Sequence, residues 1–182
     1  VDTIRGVDFQ TRHLLLALKL GEPYRLSRAL AVEAGFASLK GKRGRARQER
    51  ILSLAEELTV GIDAPDVLGW IQGVKGLGHY QCGEFKAAKE DCEKAVDILS
   101  VHGSSLFFEW TSINLYLLWA LFYMGEVGEI SARVPRLLRE AGERGDLYAA
   151  TNLSTGLVTI SWLARDEVDN ARQANDEAIA RW

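Results

Sequence analysis

The sequence predicts an all-α protein: a superhelix of antiparallel helix hairpins with a period of about 42 residues and about nine helices. Three observations predict it. Gly41, Gly83 and Gly125 lie 42 residues apart, and a second set, Gly61, Gly103 and Gly145, has the same spacing. Glycine is favoured just past a helix end because it takes the left-handed conformation cheaply. Two interleaved ladders of helix stops therefore imply pairs of helices. The segments between the stops carry apolar residues at a 3.6-residue period, and none alternates as a half-buried strand would. Only three prolines occur among 182 residues, and Leu, Ala, Glu and Arg are common, a helix-forming balance.

The pattern predicts helices at 6–20, 23–39, 45–59, 65–81, 84–100, 107–124, 127–142, 146–164 and 167–182. The first reads as the second half of an earlier unit, a half unit over 1–21. Repeat units follow at 22–61, 62–103, 104–145 and 146–182, giving one helical-repeat domain over 1–182. The helix at 45–59 opens on basic residues. The helix at 65–81 holds Gly73, Gly76 and Gly78. Small residues there suit close helix packing. A phosphate cradle would need them in a loop after a strand, in the order G-x-x-x-x-G-K-[ST]. The helix at 84–100 aligns Phe85, Ala88, Cys92, Ala95, Val96 and Leu99 on one face. Within 107–124, the ten apolar residues from Leu115 to Met124 are about half of what a membrane span needs, so they read as a core helix. Val127, Ile130, Val134, Leu137 and Leu138 mark the face of the next helix, and Val168, Ala171, Asn175, Ala178 and Ile179 that of the last. The start at Val1 and a last segment that still reads as helix give the expectation of a fragment of a longer protein with uncapped ends, through which a homodimer could form.

Composition narrows the function classes. The formal net charge of −3 argues against a general phosphate-backbone binder. Two cysteines, Cys82 and Cys92, make no disulfide framework, and no signal peptide is visible, so a cytoplasmic setting is expected. His79 and Cys82 form H-x-x-C on one helix with Cys92 on the next, three atoms that could hold zinc. The repeat places His79 and Cys92 at core positions, and a buried cysteine serves well as a small hydrophobe. His13 and His102 have no evident triad partner, and there is no G-x-S-x-G elbow. No catalytic residue, metal or cofactor is expected. Asn152-Leu-Ser154 fits a glycosylation sequon that would be silent in a cytoplasmic helix.

Two surfaces are candidates for a partner. Lys40, Lys42, Arg43, Arg45, Arg47 and Arg50 put six basic residues in eleven, an electrostatic patch for an acidic protein surface. No aromatic interleaves it for base stacking, so nucleic acid is disfavoured. Aligning units on Gly76 places Trp70, Tyr80 and Gln81 toward a concave groove, then Leu115, Trp119 and Tyr123, then Ser154, Leu157 and Arg165. Aromatic anchors with a polar rim suit a peptide or protein partner, whereas the same residues could instead fill the core between repeats.

The stretch 76–98 resembles a tetratricopeptide repeat through Gly76, Tyr80, Gly83, Phe85, Ala88, Ala95 and Ile98. That family's period is shorter, so this chain resembles a long-helix variant. The resemblance implies a right-handed superhelix and a protein-binding role. Two longer stretches, FQTRHLLLALKLGEPYRLSRALAVEAGFAS (9–38) and ALFYMGEVGEISARVPRLLREAGERGDLYAATNL (120–153), resemble the C-terminal helical region of large bacterial serine/threonine protein kinases that carry a predicted signalling ATPase module. This resemblance implies a non-catalytic regulatory or scaffold segment that engages a protein, a peptide or other domains of its parent. No kinase residue carries over, because the chain has no Gly-rich loop on a strand, no HRD and no DFG. The alternative is a small-molecule sensor with a pocket around Trp70, His79 and Tyr80.

Overall fold

Helix stops placed by glycine become left-handed turns in the structure. The computed structural model describes residues 3–101 and 106–182. Gly21, Gly41, Gly61, Gly83, Gly125 and Gly145 all have positive φ, between 57° and 84°. Gly103 and His102 lie outside the described residues. Among the described residues 86% are helical and none is in a strand. The helices are α1 (Thr3–Leu20), α2 (Pro23–Ser38), α3 (Arg45–Thr59), α4 (Pro65–Gln81) and α5 (Phe85–Ser100), then α6 (Phe107–Met124), α7 (Val127–Arg144), α8 (Leu147–Ser154), α9 (Ile160–Leu163) and α10 (Val168–Arg181). Among the described residues no helix is long and apolar enough to cross a membrane.

Local chemistry explains the starts. Pro23 and Pro65 open α2 and α4, where a missing N–H costs nothing and a fixed φ is already helical. The Glu22 carboxylate caps α2 by accepting from the backbone N–H of Tyr24 and Arg25. Asp146 caps α8 through the N–H of Ala149. Pro135 sits inside α7 and removes one hydrogen bond there, on the exposed side of the helix.

One predicted element is different. The segment 146–164 is not one helix. α8 stops at Ser154, Thr155 is extended, Gly156 takes φ 63°, and a 3-10 turn over Gly156–Thr159 leads into α9. Asn152 donates to the Tyr148 carbonyl and Thr155 to the Thr151 carbonyl. Such side chains compete for the last carbonyls of a helix and favour its end.

The chain divides into two compact units, Val1–Asn114 and Leu115–Trp182, with the division inside α6. In the first unit α1 packs on α2, α2 on α3 and α4, and α4 on α5. Its core gathers Ala31, Ala34, Leu52, Ala55, Val67 and Ile71. Three polar side chains cross between neighbouring helices to backbone carbonyls: Gln10 to Ala29, Ser27 to Ala55 and Gln48 to Val74. Each joins a buried donor to an acceptor that would otherwise have only its intrahelical partner.

The glycines of α4 are where neighbouring side chains come closest. A Cβ on Gly69 would meet Leu99 at 2.8 Å, one on Gly73 would collide with Ile113, and one on Gly78 with Gln48. A Cβ on Gly76 would meet Cys92 Sγ at 2.6 Å and the Ala88 carbonyl oxygen at 3.2 Å. This is the close packing the sequence predicted for the glycine cluster, in a helix and away from any strand. On α5, Ala88, Cys92, Ala95 and Leu99 are buried, with Phe85 and Val96 half-buried beside them.

In the second unit α7 packs on α8 and α9, and α10 on α8 and α9. Ile130, Val134, Leu137 and Ala141 are the buried face of α7, with Ala149, Leu153 and Val158 in the same core. The last helix buries less than its pattern predicted: Ala171 is covered, but Ile179 is 60% exposed.

Candidate functional site

A hollow of about 850 Å³ lies in the first unit between α1 and α2. His13, Leu16, Ala17 and Leu20 of α1 form one wall, and Tyr24, Arg25 and Arg28 of α2 the other, with Glu22 at the turn. Behind it stands a polar cluster. Tyr24 donates its hydroxyl proton to Asp66 at 2.5 Å, and Arg28 bridges Asp66 and Glu109. The hydrogen bond to Asp66, then burial, pushes the Tyr24 phenol above its ordinary range. Arg28 joins α2 to α4 and α6, so the α2 wall is held from behind. Leu16 and Leu20 are 65% and 60% exposed, so the opposite wall offers open apolar surface.

The α1 wall of the groove includes one titratable ring, that of His13. The His13 ring meets Gln10 at 3.3 Å, and among the described residues no hydrogen bond or ion pair joins it to a nucleophile or carboxylate. Sequence reasoning passed over it because its walls come from what read as a half unit and from the next helix. One signal was present: Tyr24 and Asp66, which bond to each other, lie 42 residues apart.

The residues predicted to line a groove fall in both units. Trp70, Tyr80 and Gln81 belong to the first unit, whereas Leu115, Trp119, Tyr123 and Arg165 belong to the second. Trp70 is half-buried against the Ala31–Ile71 core. Tyr80 stands edge-on to Phe85 at 5.8 Å, across the α4–α5 turn, and Gln81 beside it is half-buried. Leu115 is a correction: at 2% exposure it is core and offers no surface to a partner. Trp119 packs edge-on against Tyr116 at 5.0 Å, half-buried, and Tyr123 is 53% exposed. Ser154 is also buried, and the break after it puts Leu157 and Arg165 in a new register. Arg165 is exposed and pairs with Glu167 at 3.1 Å.

The basic patch is partly neutralised. Arg45 pairs with Glu49 at 3.0 Å and Glu84 at 2.6 Å, and Arg47 with Glu33 at 2.8 Å. Lys40, Lys42, Arg43 and Arg50 are exposed, without an ion-pair partner among the described residues. Arg45 is one end of a chain of polar contacts that continues through Glu84 to His79. The His79 Nδ1 lies 2.6 Å from Glu84 and its Nε2 lies 3.4 Å from Asp91, which also accepts from Gln72. The hydrogen bond from His79, then that from Arg45, holds the Glu84 carboxyl below its ordinary range.

His79 is therefore engaged with carboxylates rather than with sulfur. Cys82 caps the end of α4, and Cys92 is buried under Gly76 with its thiol pushed up to about 12 by burial. Among the described residues no group of three or more His, Cys, Asp or Glu is placed to hold a metal ion.

No family model, curated protein or solved structure matches the chain. What the chain presents is an apolar groove with a braced polar wall and an exposed basic turn.

Proposed function

We propose that this chain is a non-catalytic interaction or regulatory scaffold segment of a bacterial signalling protein of the serine/threonine kinase type. In this reading its hairpins are tetratricopeptide-like and stack into a right-handed superhelix. A peptide, or another domain of the parent protein, seats in the groove between α1 and α2. The observation that carries the reading is that groove, with Leu16 and Leu20 open on one side and Tyr24 and Arg28 held by Asp66 and Glu109 on the other. Binding surfaces pair exposed apolar anchors with polar groups whose positions are already fixed. The 42-residue separation of Tyr24 and Asp66, equal to the glycine spacing, supports the repeat.

The test is a photo-crosslinking residue at Leu16 or Leu20 in the full-length parent protein, with a control at exposed Arg136 on α7. Adducts to a partner or to the parent's other domains at positions 16 and 20, and not at 136, are expected. Adducts no more frequent than at the control would refute the reading.

The volume of the groove favours a second reading, a small-molecule sensor, since about 850 Å³ falls within the usual range for ligand sites. A metabolite that raises the melting temperature of the wild-type chain but not of an Arg28→Met variant would select this reading over the first.

A further inference from the structure

Apart from the groove, α1 carries a second apolar surface. Ile4, Val7, Leu15 and Leu18 are 83%, 45%, 53% and 53% exposed. With Thr11 they recur at steps of three, four, four and three residues. At 100° per residue these five positions fall within about 80° of one another on the helix, and the stripe is about 21 Å long. Gln10 and Ala17, the buried residues of α1, centre about 110° away, so α2 leaves the stripe open.

The stripe has two properties that name its occupant. First, its steps are the same on either side of Thr11. An antiparallel copy centred at Thr11 would set Ile4 against the partner's Leu18 and Val7 against the partner's Leu15. Thr11 would meet itself on the two-fold axis. Its hydroxyl already donates to the Val7 carbonyl at 2.8 Å, so covering it would leave no unpaired donor. Second, the flanking charge is self-complementary. Asp8 and Arg12 lie on the same flank of the stripe, exposed, and pair with each other at 3.1 Å. In an antiparallel pair like flanks face each other, which puts Asp8 within about 3 Å along the axis of the partner's Arg12, and Arg12 likewise of the partner's Asp8. A parallel pair would set that flank against Gln10 and Leu14, without a charge partner.

We propose that α1 pairs antiparallel with α1 of a second copy of this chain through Ile4, Val7, Thr11, Leu15 and Leu18, about a two-fold axis at Thr11. Such an interface is isologous, with each copy contributing the same stripe. It stands independently of the reading of the α1–α2 groove, because it uses a different face of α1.

Sedimentation equilibrium on the 182-residue chain tests this. The wild type is expected to pass from 20.2 kDa to twice that mass across the micromolar to millimolar range. Leu15→Glu and Leu18→Glu, both at exposed positions, should each raise the dissociation constant at least tenfold while helical content stays unchanged. Asp8→Arg should weaken pairing, and Asp8→Arg with Arg12→Asp should restore it. In a Cys82→Ser background, Thr11→Cys should oxidise to a linked dimer, whereas Lys19→Cys should not, since the two copies of residue 19 would stand about 24 Å apart along the axis. A chain that stays monomeric throughout overturns the proposal, whether the stripe then serves another segment, a lipid surface or nothing. So does a dimer that survives Leu15→Glu, or equal crosslinking at positions 11 and 19.

Discussion

Gly76→Ala tests the packing that holds α4 against α5. In the middle of a helix this change alone would add stability, by about 1 kcal/mol of helix propensity. Here the new Cβ would sit 2.6 Å from Cys92 Sγ and 3.2 Å from both the Ala88 oxygen and the Cys92 nitrogen. Cys92 is completely buried, so its sulfur has no open space to enter. Two of the three close atoms are backbone. The two helices must therefore separate by a substantial fraction of an ångström, loosening the Ala88 and Ala95 contacts on either side. Overpacking of this kind costs about 1 to 3 kcal/mol, and the backbone clashes place it in the upper part of that range. Net of propensity, Gly76→Ala should destabilise the chain by about 1 to 2 kcal/mol. Cys92→Ala alone should cost about 1 kcal/mol through the void it leaves. The double variant should be more stable than the sum of the two by at least about 1 kcal/mol, because the new methyl enters the space the sulfur vacated. Rescue stays partial while the Ala88 carbonyl remains. Urea denaturation followed by far-UV circular dichroism measures all three. Gly142→Ala is the control: it lies in α7 with nothing within 4 Å of its Cβ, and it should gain a few tenths of a kcal/mol up to about 1. If Gly76→Ala matches that gain, or if Cys92→Ala fails to relieve its loss, the close-packing argument is wrong.

Three further outcomes follow from single side chains. With its thiol pushed up to about 12 and buried, Cys92 should not react with a disulfide reagent at pH 8 in the folded chain; one thiol should titrate natively and two in denaturant. Glu84 is held below the ordinary value of 4.5, so the stability it adds is present above that value and is lost as pH falls through the lowered one. The melting-temperature gap between wild type and Glu84→Gln should therefore be full at neutral pH and close on the acid side, and a gap unchanged down to pH 3 would refute the assignment. Ser161 Oγ is buried without a hydrogen-bond partner among the described residues, so Ser161→Ala should stabilise the chain by about 1 kcal/mol in the same urea assay.

The parts of this fold that were legible in the sequence are those where one residue type answers one local demand. Gly41, Gly61, Gly83, Gly125 and Gly145 announce helix ends because the turn after each helix requires a positive φ. Their spacing locates the helices without any tertiary knowledge. The faces of α5 and α7 were legible for a related reason: Lys, Glu and Arg on the outer side leave only one stripe that can be buried. Even the glycines of α4 were readable as close packing, since they fall inside a helix with no strand before them. What local pattern could not anticipate is a helix end set by competition. At Asn152 and Thr155 the side chains draw on the carbonyls of Tyr148 and Thr151, and Gly156 then turns the chain, although the apolar residues run on through 164.

The candidate site was less legible because binding surfaces are made by relations between helices. α6 shows the difficulty most plainly. Leu115, Tyr116, Leu117, Leu118, Trp119, Ala120, Leu121, Phe122 and Tyr123 are consecutive, so this half of the helix has no polar side to fix which residues face inward. A groove register and a core register then fit the same letters equally well. The structure separates them through packing alone, burying Leu115, Leu117, Leu118 and Leu121 while leaving Tyr123 open. The opposite holds on α1. There apolar residues occupy both flanks, Leu16 and Leu20 on the groove and Ile4, Val7, Leu15 and Leu18 on the outer stripe, and only one side, at Gln10 and Ala17, is covered by α2. A helix apolar on more sides than it buries has surface left for a partner. That surplus, rather than any single motif, is what both the proposed groove and the proposed α1 pairing draw on.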